Sequence, residues 1–553
     1  MLRTCSPSGG DARVQRCVFL AGLAVGVLFF AFYYSRGLTL AHYDAKAHLL
    51  VARRIVDSLE PGYSQMGGQW LPLVHLLYLP FVIFDAQYRS GLLPSLISVL
   101  CFAVSGALVY RISLRITGSG TAALCSAVLL IANPNLLYLQ SCPLTEPVFM
   151  ALFLLALDRL LEWRASDHSR LPWAAAVWTA LAGMCRYEGW GLLLGIVALL
   201  LADGWTRRVP RPQAVRAAAV SAAVFALPAL AHFGYILVRL GDVFFSRVAA
   251  GAPTPYLTHR RPFLSLLYHL AQVEQMATLL PLVLAGVGIL VFLRERERRW
   301  ERAPLLLLWV PSLVNIAALY WGHVYRLRYS VLLLPAVAVC AGLAIRSEKA
   351  RRRALPLLFL LLAVLPWVSW ATYVRDPQRM LVPGPGAAVL PVLGLGLYAV
   401  ARLRGGYARA LLLLCVAGMV VPPLARERLP MMAETLEHEF IEPERDEILQ
   451  YLRRHYDGGR ILVDMGRQAP LVYDSGLRVS EFVYNDGEGR WWHRALADPV
   501  RVVGWLCAQK GDAVWERIMM DPRIRTHYTV AVDTEHLALY RLKVPTGKVE
   551  RYP

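Results

Sequence analysis

No CxxC pair and no Cys/His cluster with metal-ligand spacing occurs in this chain of 553 residues, which argues against structural zinc. Its nine cysteines form no disulfide framework either. Cys17, Cys101, Cys125, Cys340 and Cys415 fall in long apolar runs, where a thiol packs as a small hydrophobe. Cys507 is alone after residue 429, so that region holds no internal bridge. The C-terminal region lacks a glycine-rich phosphate loop and a nucleophile elbow, which removes the common nucleotide and hydrolase signatures. No part of the chain repeats another, which counts against a transporter built from two related halves. Charge is scarce too: Asp, Glu, Lys and Arg make up only 18%.

What fills the chain instead is hydrocarbon. With 57% hydrophobic residues and a mean hydropathy of +0.44, it is too apolar for a soluble multidomain protein. Apolar runs near 17–34, 91–110, 121–137, 145–161, 214–238, 277–293, 304–320, 329–345, 354–372, 385–401 and 409–425 approach the roughly 20 residues that span a bilayer as helix. Two weaker stretches, 172–185 and 190–203, flank the charged insert Arg186-Tyr187-Glu188. About thirteen spans are therefore expected. Arginines gather in every second connection, from Arg3, Arg13 and Arg16 through Arg111/Arg115 and Arg207/Arg208 to Arg402/Arg404. This bias places the N-terminus in the cytoplasm and the C-terminus outside the cytoplasmic membrane. The first run is long, and Tyr33-Tyr34-Ser35-Arg36 follows it in place of a small-residue cleavage site, so it reads as a retained anchor.

The net charge of +19 belongs to these inside loops, which face anionic headgroups, and is no nucleic-acid signal. From residue 430 onward the chain holds 20 acidic and 17 basic residues. The expected organisation is a helical polytopic membrane domain over 1–428, with a first external loop over 35–90, and a small extracytoplasmic α/β domain over 429–553. In the latter, strand-like runs at 460–464, 477–484, 528–533 and 537–541 alternate with helical patterns at 443–456 and 500–519, as in a mixed sheet.

Candidate chemistry lies in the outside segments. Asp44 sits about ten residues after the first span, in His42-Tyr43-Asp44-Ala45-Lys46-Ala47-His48. Asp44 and His48 are one helical turn apart and share a face. Leu49, Val51, Ile55, Val56 and Leu59 suit a helix lying along the interface, with Trp70 beyond it as a headgroup anchor. Glu146 opens a span, where the helix dipole favours an acid, and Arg186 is spaced to pair with Glu188. Arg247 lies in the external segment 241–272, and His323, Arg326, Arg328 and Tyr329 lead into another span. Ionisable groups so close to hydrocarbon are costly without partners, which makes them candidates for function.

Taken in order, Tyr43-Asp44 with His48-Leu49, Trp70-Leu71-Pro72-Leu73, Thr145-Glu146-Pro147, Arg186-Tyr187-Glu188-Gly189 and Arg328-Tyr329 resemble the GT-C glycosyltransferase superfamily. The likeness is to bacterial members related to protein O-mannosyltransferases and the lipid A aminoarabinose transferase. It implies transfer of a sugar from a polyprenyl-phosphate donor to an envelope acceptor (protein, lipid or glycan) at the outer face of the cytoplasmic membrane. The resemblance places the family's first-loop aspartate on Asp44, as base, with Glu146 as a second catalytic acid. Arg328, Arg326, Arg186, Arg247 and Lys46 would meet the donor phosphate, and His48, Glu188, His323 and Tyr329 would line the rest of the site. Sugar transfer develops positive charge at the anomeric carbon and negative charge on the leaving phosphate, so carboxylates and arginines are the residue types it needs. The sequence departs from its relatives in one respect: Ala45 and Lys46 follow Asp44, so no adjacent acid pair forms and a bound divalent cation is not favoured. No cofactor is expected. Trp491-Trp492-His493 replaces the Trp-Trp-Asp of oligosaccharyltransferases, against transfer to asparagine. Two alternatives remain: a transporter or flippase of a lipid-linked or anionic substrate, and a non-catalytic envelope scaffold.

Overall fold

A computed structural model describes residues 9–241, 258–295, 303–346, 348, 406–425, 429–437, 442–485 and 490–543, apart from Gln69 and Val324. The chain forms two compact units. One comprises Met1–Arg36, Leu96–Leu230 and Ala249–Glu434; the other Gly37–Ser95, Ala231–Val248 and Thr435–Pro553.

The first unit is helical. Among the described residues, six helical stretches are long and apolar enough to cross a membrane, or seven if one bent pair counts as a single span. They include Leu92–Thr117, Glu188–Trp205, Ala303–Tyr320 and Leu327–Arg346. Among the described residues the expected count of about thirteen is not reached, for identifiable reasons. The run 121–137 divides into Gly120–Ile131 and Pro134–Leu139, because Asn133 caps the second helix by accepting from Leu136 N and Pro134 takes its first turn. The span expected at 277–293 is one arm of a pair, Pro262–Ala277 and Leu279–Arg294, bent by 115°. At the bend Thr278 adopts φ 62°, a conformation a β-branched residue takes only under constraint. Trp173–Cys185 has only 13 residues. The expected spans 354–372 and 385–401 lie outside the described residues.

Buried charges in this unit are paired. Asp158, wholly buried, meets Arg111, Arg115 and Arg159, and Arg164 forks onto Asp203 at 2.6 and 2.7 Å. Small residues let helices close up: a Cβ on Gly288 would fall 1.8 Å from Cys340 O.

The second unit holds a five-stranded mixed sheet: β1 (Ile461–Val463), β2 (Phe482–Tyr484), β3 (Trp505–Gln509), β4 (Tyr528–Asp533) and β5 (Leu537–Leu542), ordered β2-β1-β3-β5-β4. β1 runs parallel to β2 and β3, and β5 lies antiparallel between β3 and β4. The helix expected over 500–519 is corrected here. Its first part, Pro499–Val502, ends before Gly504, Trp505–Gln509 becomes a central strand, and helix resumes at Ala513 after Gly511 at φ 92°. Burial between two neighbouring strands overrides the helical pattern of the run. The helix Tyr43–Arg54 packs in this unit with Ala45, Ala47, His48, Leu49, Leu50, Val51, Ala52 and Arg54 buried. It is a core helix on most sides, not the one-faced interfacial helix its pattern predicts.

Candidate functional site

In the first unit, residues from three separate stretches of sequence assemble a charged cluster. Arg186 follows the helix Trp173–Cys185 in extended backbone, and the helix Glu188–Trp205 begins two residues later. Its guanidinium forks onto Glu188, with Nε 3.2 Å from Oε2 and Nη2 2.9 Å from Oε1. Nη1 donates to Glu146 Oε1 at 2.7 Å and to Thr145 Oγ1 at 2.8 Å. Glu146, in the first turn of Thr145–Arg164, has no exposed surface, and Arg328 Nε lies 3.4 Å from the same Oε1. Both guanidinium groups sit over the ring of Tyr329, at 4.9 and 5.4 Å from its centroid. Two arginines and two carboxylates thus neutralise one another in a nearly dry setting. The hairpin that presents Arg186 depends on Gly189, where a Cβ would lie 2.4 Å from Gly183 N.

In the second unit, Asp44 occupies the first turn of Tyr43–Arg54 and is half-buried. His42 caps this helix, its Nδ1 accepting from Asp44 N at 3.0 Å. Tyr43 Oη donates to Gly466 O at 2.9 Å, and burial together with the nearby Asp44 carboxylate pushes its pKa above the usual phenol value. Lys46 Nζ is 2.6 Å from Asp474 Oδ2, so this cation is already matched by a carboxylate of its own unit. His48 is buried one turn beyond Asp44, 3.0 Å from His75 (Nδ1 to Nε2), while His75 Nδ1 lies 3.1 Å from Leu71 O. A carbonyl only accepts, so His75 carries its proton on Nδ1, and Nε2 accepts from His48. Burial, with His48 and Arg54 nearby, holds the His75 pKa well below its ordinary value. Trp70 packs on both imidazoles, 4.3 Å from His48 and 5.8 Å from His75 between ring centroids.

Of the residues expected in the site, Glu146, Arg186, Glu188, Arg328 and Tyr329 come together in one unit, and Asp44, Lys46 and His48 lie on one helix of the other. Arg326 precedes the 3-10 helix Leu327–Leu333 and is partly exposed, and His323 is also partly exposed. Arg247 lies outside the described residues. Sequence reasoning missed His75 and Asp474, and read Thr145 only as part of the Thr145-Glu146-Pro147 motif, without its contact to Arg186. Thr145 was the readable one, beside Glu146 in a polar break between apolar runs; the other two carry no local signal. Among the described residues, no group of three His, Cys, Asp or Glu side chains is arranged to hold a metal ion.

No protein-family model and no curated protein matches the chain. Solved structures do. It aligns with ArnT from Cupriavidus metallidurans bound to undecaprenyl phosphate at a TM-score of 0.58 and 16% identity, covering 94% of this chain and 97% of that one. The apo form of the same protein aligns at 0.58 and 16% identity, over 96% and 98%. An oligosaccharyltransferase from Archaeoglobus fulgidus aligns at 0.47 and 12% identity, over 91% and 71%. The first two alignments run almost end to end, so the chain shares the fold of ArnT.

Proposed function

We propose that this chain, which shares its fold with ArnT, is a glycosyltransferase of the cytoplasmic membrane. It takes a sugar from a polyprenyl-phosphate carrier at the outer face and passes it, with inversion, to an acceptor of the cell envelope. The observation that carries this reading is the Arg186–Glu146–Arg328 cluster, buried charge in a fold whose ArnT representative was crystallised with undecaprenyl phosphate. In a dry setting, arginine is the side chain suited to a leaving phosphate, because its planar fork matches two oxygens at once.

Asp44 is the base. It takes the acceptor proton as the new bond to the anomeric carbon forms and the carbon–oxygen bond to phosphate breaks. Arg328 and Arg326 stabilise the charge that develops on the departing phosphate. Arg186 has a different task here: Glu188, Glu146 and Thr145 already use three of its nitrogens, so it fixes Glu146 and thereby the height of Arg328. About thirteen crossings, with the N-terminus inside and the α/β region outside, complete the topology of this reading.

The test uses purified protein in nanodiscs with a panel of polyprenyl-phosphate sugars. Asp44→Asn nearly preserves shape and removes the charge; it is expected to retain donor binding and to lower transfer by at least about a hundredfold. Transfer at the wild-type rate would remove Asp44 from the mechanism. A wild-type protein that binds no such donor would move the assignment to transport.

A further inference from the structure

A cleft of about 280 Å³, counted out to its mouth, opens in the second unit beside the edge strand β2. Pockets that hold drug-sized ligands run to roughly 300–1,000 Å³, so this one has room for a single small ring. Tyr484, Trp491 and Trp492 give it an aromatic wall, and Glu60, Gln65 and Arg490 bring planar polar groups. Trp492 belongs to a buried core cluster against which Trp491 packs, so the wall is firmly backed. Arg460 lies over the Trp491 ring at 4.4 Å and Arg494 at 5.7 Å, which fixes the indole while it stays partly exposed.

The polar side is preorganised as well. Tyr484 Oη donates to Gln65 Oε1 at 2.8 Å, and Gln65 Nε2 donates to Glu60 O at 2.9 Å. These bonds fix which way the amide points and leave the second Nε2 hydrogen for a ligand. Arg54 holds Gln65 from behind, donating to its backbone carbonyl and to Met66 O. Arg490 Nη2 is 2.6 Å from Glu60 Oε1, and among the described residues Glu60 Oε2 accepts no hydrogen bond.

One carboxylate and one guanidinium cancel in this lining. An anion would face Glu60 and a cation Arg490, while a lipid chain would strand both. The complementary ligand is neutral, gives and accepts hydrogen bonds, and has one apolar face. A pyranose ring fits each term: its hydroxyls do both, and its C–H face packs on an aromatic ring. The helix Tyr43–Arg54, about 18 Å long, carries Asp44 at one end and Arg54, with Gln65 attached, at the other. A sugar in the cleft is therefore not the one whose hydroxyl meets Asp44, but a neighbour in the same glycan.

We propose that this cleft is an acceptor subsite, binding a neutral sugar unit of an acceptor glycan through Glu60, Gln65, Arg490 and the Trp491 ring. It deepens the reading above, on which it rests, by making the envelope acceptor a glycan.

The experiment titrates the full chain in nanodiscs, without donor, with maltotriose, mannotriose, triacetylchitotriose and the anionic trigalacturonate. At least one neutral trisaccharide should bind. Glu60→Ala, Arg490→Ala and Trp491→Leu should each weaken it about tenfold and leave undecaprenyl phosphate binding unchanged. Glu60 and Arg490 form a solvent-facing pair, with Arg490 72% exposed, so these two variants should melt as the wild type does even if Trp491→Leu folds poorly. Binding of no neutral trisaccharide, or undiminished binding in the folded Glu60→Ala and Arg490→Ala variants, would overturn the subsite alone. Tighter binding of trigalacturonate would overturn the neutral-sugar assignment. A trisaccharide that binds the cleft yet accepts no sugar from a donor the protein turns over would overturn the acceptor role. A wild type that turns over no polyprenyl-phosphate sugar would overturn the glycosyltransferase reading itself, and the acceptor role with it.

Discussion

Replacing Arg186 with alanine leaves Glu146 and Glu188 facing each other across the space the guanidinium filled. The two carboxylates have side-chain exposures of 0% and 5%, so water cannot take over from the lost donors. Four hydrogen bonds disappear at once. Breaking a buried ion pair by removing one partner costs about 3–5 kcal/mol, mainly as an uncompensated charge, and here two acids are exposed to it. Arg328 still reaches Glu146, at 3.4 Å, which offsets part of the loss there and places most of it on Glu188. In a large chain each kcal/mol lowers the melting temperature by about 2 °C, so Arg186→Ala should lower it by roughly 6–10 °C in detergent or nanodiscs. The diagnostic partner is Glu188→Gln. If the penalty is the stranded charge, the double variant regains a sizeable share of the single loss, a coupling of about 1–3 kcal/mol. Donor affinity should stay low in it, because Arg186 acts through Glu146, and Glu188→Gln does not restore that bond. A melting temperature within 1 °C of wild type for Arg186→Ala would refute this energetic account. Wild-type donor affinity in the double variant would refute the positioning of Arg328 through Glu146.

Two further outcomes follow from packing and titration. Gly189→Ala brings a Cβ within 2.4–2.6 Å of the Gly183 and Ala182 backbone, so the hairpin that carries Arg186 should fail to close; folded yield should fall sharply by size-exclusion chromatography, whereas Gly286→Ala, with open space around it, should not change it. Burial raises the Asp512 pKa from 3.8 to about 6, against the bonds it accepts from Trp515 N and Gln509 N. The folded state then binds the proton more tightly than the unfolded one. Stability should accordingly be full below about pH 4, fall by up to about 3 kcal/mol between pH 4 and 6, and stay level above. Asp512→Asn, still a helix cap, should flatten that slope in melting curves recorded from pH 4 to 7.

Much of this protein is legible along the chain because its determinants are local. Apolar run lengths set most of the helices, and strand–helix alternation gave the C-terminal sheet its mixed character. Arg186 and Glu188, two residues apart, pair as their spacing suggests. The misreadings have physical causes. Periodicity cannot tell a strand buried on both faces from a helix segment, so Trp505–Gln509 was hidden inside a helical pattern. Nor can it distinguish a helix covered on most sides from one lying on a surface, so Tyr43–Arg54 looked interfacial.

By itself the sequence determined which residues must leave water and which ionisable groups would then need partners. Only the tertiary structure decided who those partners are. Glu146 finds Arg186 forty residues on and Arg328 far beyond it; Lys46 finds Asp474; and 37–95 joins 435–553 in one compact unit. The reason is that hydrophobic burial depends on residue type and local period, whereas neutralising a buried charge depends on what the fold brings within 3–4 Å, a matter of chain topology that no short stretch of sequence contains.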